Sequence, residues 1–194
     1  MSGVISAITR FEDEYRFLSN FYPYPVTVDG VTYPTLEHAY QSRKTLDTAW
    51  QRHIREATTP GAAKRLGREA PLREDWDRAK MEVMLRLLRV KFSVPPLAAR
   101  LLGTGDAHLE EGNNWEDRYW GTVNGEGHNQ LGKFLMLVRD ELRQQYSEKW
   151  RRAILNQGRE LTDWERGFAT HFPVRPSLKQ FRRLEQIYAD QVPG

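Results

Sequence analysis

The sequence predicts a mainly α (α+β) chain, a helical bundle with one small N-terminal β-hairpin and a helical extension at its C-terminal end. Three observations carry this. Val26-Thr27-Val28 and Val31-Thr32-Tyr33 are β-branched segments flanking Asp29-Gly30, the dipeptide that tolerates the positive φ of a tight hairpin turn. Apolar residues recur at helical spacing from Asp75 to Phe92 and again from Gln130 to Tyr146. Thr, Asp and Pro stand at the positions where helices begin.

Taken in order, Pro34 breaks the second strand, and Thr35 is placed to cap a helix from Leu36 to about Thr45. A second helix covers Thr48 to Ala57. A third starts at Thr59-Pro60 and is expected to end at Gly67. Asp75 is expected to cap the long helix to Phe92, with Trp76, Ala79, Val83, Leu87 and Lys91 on one stripe and Met84, Leu88 and Phe92 beside it. Pro95-Pro96 open a short helix ending near Gly103. Thr104 to Gly127, rich in Gly, Asn and Asp, reads as loop with one short strand at most. A core helix from Gln130 to Tyr146 carries Leu131, Phe134, Leu135, Val138 and Leu142. Two short amphipathic helices follow, around Leu161–Phe168 and Leu178–Tyr188, the first with Thr162 and Glu165 at capping-box spacing. There is no internal repeat and no low-complexity segment.

The chain of 194 residues, 39% hydrophobic and 28% charged, has the balance of an ordinary globular protein rather than a disordered one. Its charge is uneven. From Lys149 onward there are nine Lys and Arg against five Asp and Glu, whereas the first 148 residues hold twenty against twenty-one. We therefore expect a domain over 1–148 and a basic helical extension over 149–194, the latter with room for a contact to DNA or a protein partner. No apolar run reaches membrane-spanning length, and Met1-Ser2-Gly3-Val4 lacks a basic region followed by an apolar one. The expectation is thus a cytoplasmic protein without a membrane association. The absence of cysteine excludes disulfides, iron–sulfur clusters and thiolate zinc sites. The five histidines show no paired metal spacing, so neither a metal nor another cofactor is expected.

Two stretches could hold chemistry. Glu37, Gln41 and Lys44 stand at i, i+4 and i+7 on the helix after Pro34 and share a side across two turns. A carboxylate, an amide and an amine so aligned suit acid–base or nucleophilic work, but by spacing alone an exposed surface row is the commoner outcome. The second stretch is Asn113 to Gly121 with Gly125 to Lys133, where two Trp, a Tyr and several Gly interrupt a connecting segment. Aromatics in a loop either anchor it to the core or line a site, and Gly before a helix N-terminus can hold phosphate. Trp76, near a helix start, is by itself more often core than ligand platform.

Several motifs in one order resemble the NADAR (YbiA-like) family. They are Phe17-Leu18-Ser19-Asn20-Phe21, Asp29-Gly30, Tyr33 through Gln41, Lys44, Ala63 through Arg68, Pro71-Leu72-Arg73, Trp76, Asp117 through Gly121, and Gly127 through Gly132. The resemblance covers roughly residues 11 to 146. It implies an orthogonal helical bundle acting as an N-glycosidase on ribosyl compounds, either ADP-ribosylated guanine, including in DNA, or phosphoribosylated intermediates of riboflavin synthesis. By motif, it also implies that Glu37, Lys44 and Asp117 are catalytic. Glu37 would stabilise an oxocarbenium-like centre. Asp117 would hold ribose hydroxyls or act as a second acid–base group. Lys44 would bind phosphate or attack an opened ribose as an amine. Trp76 and Trp120 would stack on the base, Asn20 and Phe21 would complete the pocket, and Gly121 and Asn129 would contact substrate near the Gly-rich loop. A rival from another class is a non-catalytic module that binds ADP-ribose or nucleic acid, which would keep the aromatic pocket without the carboxylates.

Overall fold

The computed structural model describes residues 6–192; Met1-Ser2-Gly3-Val4 falls outside them. The chain divides into two compact units. The first runs through Leu101 and takes up Ala107–Val138; the second comprises Leu102–Asp106 and everything from Arg139.

In the first unit, β1 (Ala7–Ile8) pairs in parallel with β4 (His108–Leu109), and β2 (Val26–Val28) forms an antiparallel hairpin with β3 (Val31–Tyr33). Asp29 and Gly30 both take positive φ, +53° and +75°, the requirement of a two-residue type I′ turn. The Asp29 carboxylate accepts hydrogen bonds from Arg43 and Arg86, tying the turn to two helices. A 3₁₀ turn, Asp13–Leu18, precedes the hairpin. Then come α1 (Leu36–Ser42), α2 (Thr48–Arg55), α3 (Pro60–Glu69), α4 (Trp76–Phe92) and α5 (Pro95–Gly103), the last two residues of α5 belonging to the second unit. Phe17, Leu18, Leu36, Leu87, Leu88, Phe92 and Leu135 form the core, each such side chain contributing roughly 1.5–3 kcal/mol on removal from water. Ile54, Ala63 and Ala70 form a smaller cluster with Trp50, Ala57 and Leu66, which fastens α2 to α3.

α6 (Gln130–Gln157) starts in the first unit and continues in the second. It extends well past Tyr146, where the sequence suggested a stop. Polar residues 147–149 hide the continuation, but Tyr146, Trp150 and Ile154 keep the i, i+4 stripe, and Trp150 and Ile154 are buried. In the second unit Trp150 packs on Phe181 with ring centroids 5.0 Å apart and stacks on Tyr188 at 5.9 Å. α7 (Asp163–Thr170) carries the expected Thr162–Glu165 capping box, and α8 (Leu178–Gln191) a second one from Ser177 and Gln180. Buried Arg143 donates to the Gly105 carbonyl and the Asp106 carboxylate.

Three smaller corrections concern boundaries. α1 ends at Ser42. Asp75 stands at the N-cap position of α4 but caps nothing, because Arg73 holds its carboxylate in a two-pronged ion pair. α3 passes straight through Gly67 to Glu69. Among the described residues no helix is long and apolar enough to cross a membrane.

Candidate active site

Thr35 caps α1 through His38 N–H, and its hydroxyl also meets His38 Nδ1 at 2.8 Å. The other ring nitrogen of His38 lies 3.1 Å from the Ala57 carbonyl, so this histidine braces α1. Burial holds its pKa below the usual imidazole value. All seven residues of α1 are buried. Glu37 is 5% exposed and Gln41 2%, which removes the surface-row reading of the Glu37–Gln41–Lys44 side.

Gln41 Nε2 donates to Glu37 Oε1 at 2.7 Å, and Glu37 N–H donates to the Asn20 carbonyl at 3.0 Å. Both side chains face a cavity of about 850 Å³ that Lys44 also lines. Desolvation raises the Glu37 pKa; the Gln41 hydrogen bond, Lys64 and Lys44 oppose it, and Asp117 adds to it. Burial in turn lowers the Lys44 amine pKa, with Glu37 acting against the shift and Lys64 and Arg68 with it.

One wall is aromatic. Tyr40 packs on Trp76 at 5.2 Å and meets Trp120 edge-on at 5.6 Å, while Tyr119 stands perpendicular to Trp120 at 5.1 Å. Burial, with Glu37 close by, raises the Tyr40 hydroxyl above the usual phenol range, so it is a neutral polar group in that wall. The remaining surface is charged. Arg16, Lys44, Lys64, Arg68 and Lys80 line the cavity together with three carboxyls, Glu37, Glu111 and Asp117. Lys64 Nζ stands 5.9 Å from the ring centres of both Phe21 and Trp115, within cation–π reach of each.

Gly67 explains how α3 can lie so close to α1. A Cβ at this position would overlap Gln41 Oε1 and sit 2.9 Å from Gln41 Cβ, so the helix passes the glutamine only because residue 67 has no side chain. Gly67→Ala should therefore displace Gln41 and release Glu37. The helix-propensity gain, up to about 1 kcal/mol, is opposed by overpacking of about 1–3 kcal/mol. We expect a small loss of thermal stability with a tenfold or greater loss of kcat; an unchanged kcat would show that the Gln41–Glu37 hydrogen bond has no bearing on turnover.

Of the nine residues singled out from sequence, seven line this cavity: Glu37, Lys44, Asp117, Asn20, Phe21, Trp76 and Trp120. Trp76 is also buried, as its core reading expects, while lining the cavity. Asp117 Oδ1 accepts from the N–H groups of Tyr119 and Trp120 at 3.2 and 2.9 Å, a turn that fixes the aromatic wall. Gly121 and Asn129 are not in the lining. Asn129 spends its amide on backbone, accepting from Glu111 N–H at 3.1 Å and donating to the Leu109 carbonyl at 2.9 Å. Gly121 packs against the Glu111 carbonyl so closely that a Cβ would overlap it.

Sequence reasoning did not single out Lys64, Arg68 or Glu111 for the site. The first two had a signal, a basic i, i+4 pair on a helix whose Ala63 and Gly67 form a small-residue stripe. Glu111 had none, since it lies in an irregular segment and reaches the cavity by long-range pairing.

The NADAR domain model matches residues 8–143. N-glycosidase YbiA of Escherichia coli (strain K12) is 42% identical over 146 residues, covering 73% of this chain and 91% of that protein. A riboflavin biosynthesis protein of Vibrio vulnificus is 41% identical over 137 residues, which is 69% of this chain and 37% of the relative. An N-glycosidase of Nostoc punctiforme is 39% identical, covering 66% of this chain and 86% of that protein. The NMR structure of the E. coli protein YbiA superimposes with a TM-score of 0.67 at 39% identity, covering 76% of this chain and 90% of that one.

Proposed function

Because the chain belongs to the NADAR domain family, a family with N-glycosidase function, we propose that its cavity cleaves the ribosyl C–N bond of a phosphorylated nucleoside-like substrate. The enzyme is a hydrolase acting on N-glycosyl bonds. The proposed substrates are ADP-ribosylated guanine, free or in DNA, and phosphoribosylated intermediates of riboflavin synthesis. The observation that carries the reading is the buried Glu37 carboxyl, held by Gln41 in a cavity with an aromatic wall and five cations.

Each part matches a part of such a substrate. The volume of about 850 Å³ is in the range that takes a nucleotide-sized ligand. Trp76 and Trp120 offer faces and edges to a base. Arg16, Lys64, Arg68 and Lys80 suit phosphate oxygens. Breaking the C1′–N bond develops positive charge on the sugar, and a carboxylate already fixed beside it lowers that barrier without reorganisation. Glu37 takes that role, and Asp117 holds ribose hydroxyls with the oxygen its turn leaves over.

Lys44 serves as more than a counter-charge in this reading. An amine with a lowered pKa is neutral more of the time and can attack the C1′ carbon of an opened ribose, expelling the base as its amine and leaving an imine. The test is release of free base from a panel of both substrate classes, run with and without borohydride. We expect turnover on at least one class, a reduced adduct at Lys44, and loss of turnover in Lys44→Arg. A fully active Lys44→Arg with only a raised KM would make this lysine a phosphate ligand, and no base release from any member of the panel would overturn the assignment.

A further inference from the structure

Three carboxyls line the cavity, and their hydrogen bonds divide them. Glu37 accepts from Gln41 and Asp117 accepts from two backbone N–H groups, so each has a protein donor. Glu111 has no such donor among the described residues. Its Oε2 is buried and meets no hydrogen-bond partner there. Yet the surrounding chain fixes its backbone closely. Glu111 N–H donates to Asn129 Oδ1 at 3.1 Å, and its carbonyl accepts from Thr122 N–H at 2.9 Å and from Asn113 Nδ2 at 3.4 Å. Gly121 leaves the gap that lets the two segments meet there. The residue is held on every side except at the carboxyl, which faces the cavity.

We propose that Glu111 is the general acid of the site, giving its proton to the leaving nitrogen as the C1′–N bond breaks. This rests on the reading of the cavity as an N-glycosidase centre and adds a residue to it. An ionised carboxylate left buried without a donor costs several kcal/mol, so the neutral acid is the form this pocket favours. A neutral acid whose O–H has no protein acceptor has its proton available to a ligand. Burial is the first cause that pushes the Glu111 pKa up, to about 7; Asp117 and Glu37 reinforce it, and Lys64 and Lys91 oppose it. A general acid works best when its pKa lies near the working pH.

The step balances. The C1′–N electron pair goes to nitrogen, which takes the Glu111 proton and departs as a neutral amine. Water hydrolyses the Lys44 imine left at C1′ and loses a proton to the Glu37 carboxylate, the lysine amine departs, and exchange with solvent restores both acids. Gly121 and Asn129 become positioning residues, since both act on the Glu111 backbone.

The test uses two ribosyl 5′-phosphates that differ only in leaving group. An aminopyrimidine needs a proton to leave; a pyridinium base already carries its positive charge and departs neutral without one. With wild-type protein, kcat/KM for the aminopyrimidine substrate should fall above an apparent pKa near 7, and the pyridinium substrate should lack that limb. Glu111→Gln should reduce kcat/KM at least 10²-fold for the first substrate and only a few-fold for the second, and should abolish the limb. Equal losses on both substrates, or matching wild-type pH profiles, would overturn the general-acid role while leaving the N-glycosidase reading intact. The wild-type comparison needs no variant to fold. No turnover of either substrate by wild-type protein would overturn both.

Discussion

Glu37→Gln is expected to leave the fold intact and reduce kcat by roughly 10²–10⁴-fold, the range that follows loss of a preorganised electrostatic group. The amide is nearly isosteric with the carboxyl, and its oxygen still accepts from Gln41 Nε2, so the 2.7 Å contact has a counterpart in the variant. What disappears is the negative charge beside the developing oxocarbenium centre. Stability should move the other way. Desolvation raises the Glu37 pKa in the folded protein, so the folded state binds a proton more tightly than the unfolded chain does. That coupling destabilises the wild-type protein as pH rises above the ordinary carboxyl range, and an amide has nothing to ionise. Thermal melts at pH 8 should therefore show the variant at least as stable as the wild type while single-turnover base release collapses. Turnover within tenfold of wild type would remove Glu37 from the chemistry; a large drop in melting temperature would make the loss of activity a folding effect.

How much of this was legible depended on whether the signal was local. The Asp29-Gly30 turn, the Thr35, Thr59 and Thr162 caps and the α4 stripe could be read because each is settled by residues within a few positions of one another. Gly67 was misread as a helix end. Glycine usually marks a terminus, but here it makes room for a side chain 26 positions away, as seen in the approach to Gln41. The α6 stop was missed because a polar run over 147–149 hid a stripe that tertiary packing on Trp150 maintains. Spacing identified the Glu37–Gln41–Lys44 side but could not decide whether it faced water or a cavity. That depends on α3 covering α1. Glu111 was invisible for the same reason in stronger form: its orientation is set by Thr122 and Asn129, 11 and 18 residues on, across irregular backbone.

The stability of the protein should pass through a minimum near neutral pH, and Lys91→Met should flatten most of its alkaline side. Lys91 is 1% exposed, its ammonium donating to the Ser19 carbonyl at 2.8 Å and lying 5.2 Å from the Phe92 ring centre. Burial lowers its pKa to about 7, with Arg100 adding and Glu111 opposing. Between that value and the ordinary lysine pKa the unfolded chain binds the proton and the folded one does not, so stability rises with pH across that window and the full penalty applies below it. Glu111 behaves in the opposite sense. Its pKa is raised from the usual 4.5 to about 7, so the folded state holds the proton more tightly, and stability falls as pH climbs through that interval. Glu37 adds to the acid limb and Lys44 to the alkaline one, by the direction in which burial moves each. A tenfold difference in proton affinity between the folded and unfolded chain is worth about 1.4 kcal/mol, so urea unfolding of the wild type should show a rise of about 2–4 kcal/mol from pH 7 to about 10. Methionine fills a similar volume, forfeits one hydrogen bond of about 1 kcal/mol and carries no charge to desolvate. The variant should accordingly match or exceed wild-type stability at pH 6 and show only the shallower rise due to Lys44 above pH 7. Parallel curves for the two proteins from pH 6 to 10 would mean that Lys91 keeps its proton in the core, stabilised by more than the Ser19 carbonyl.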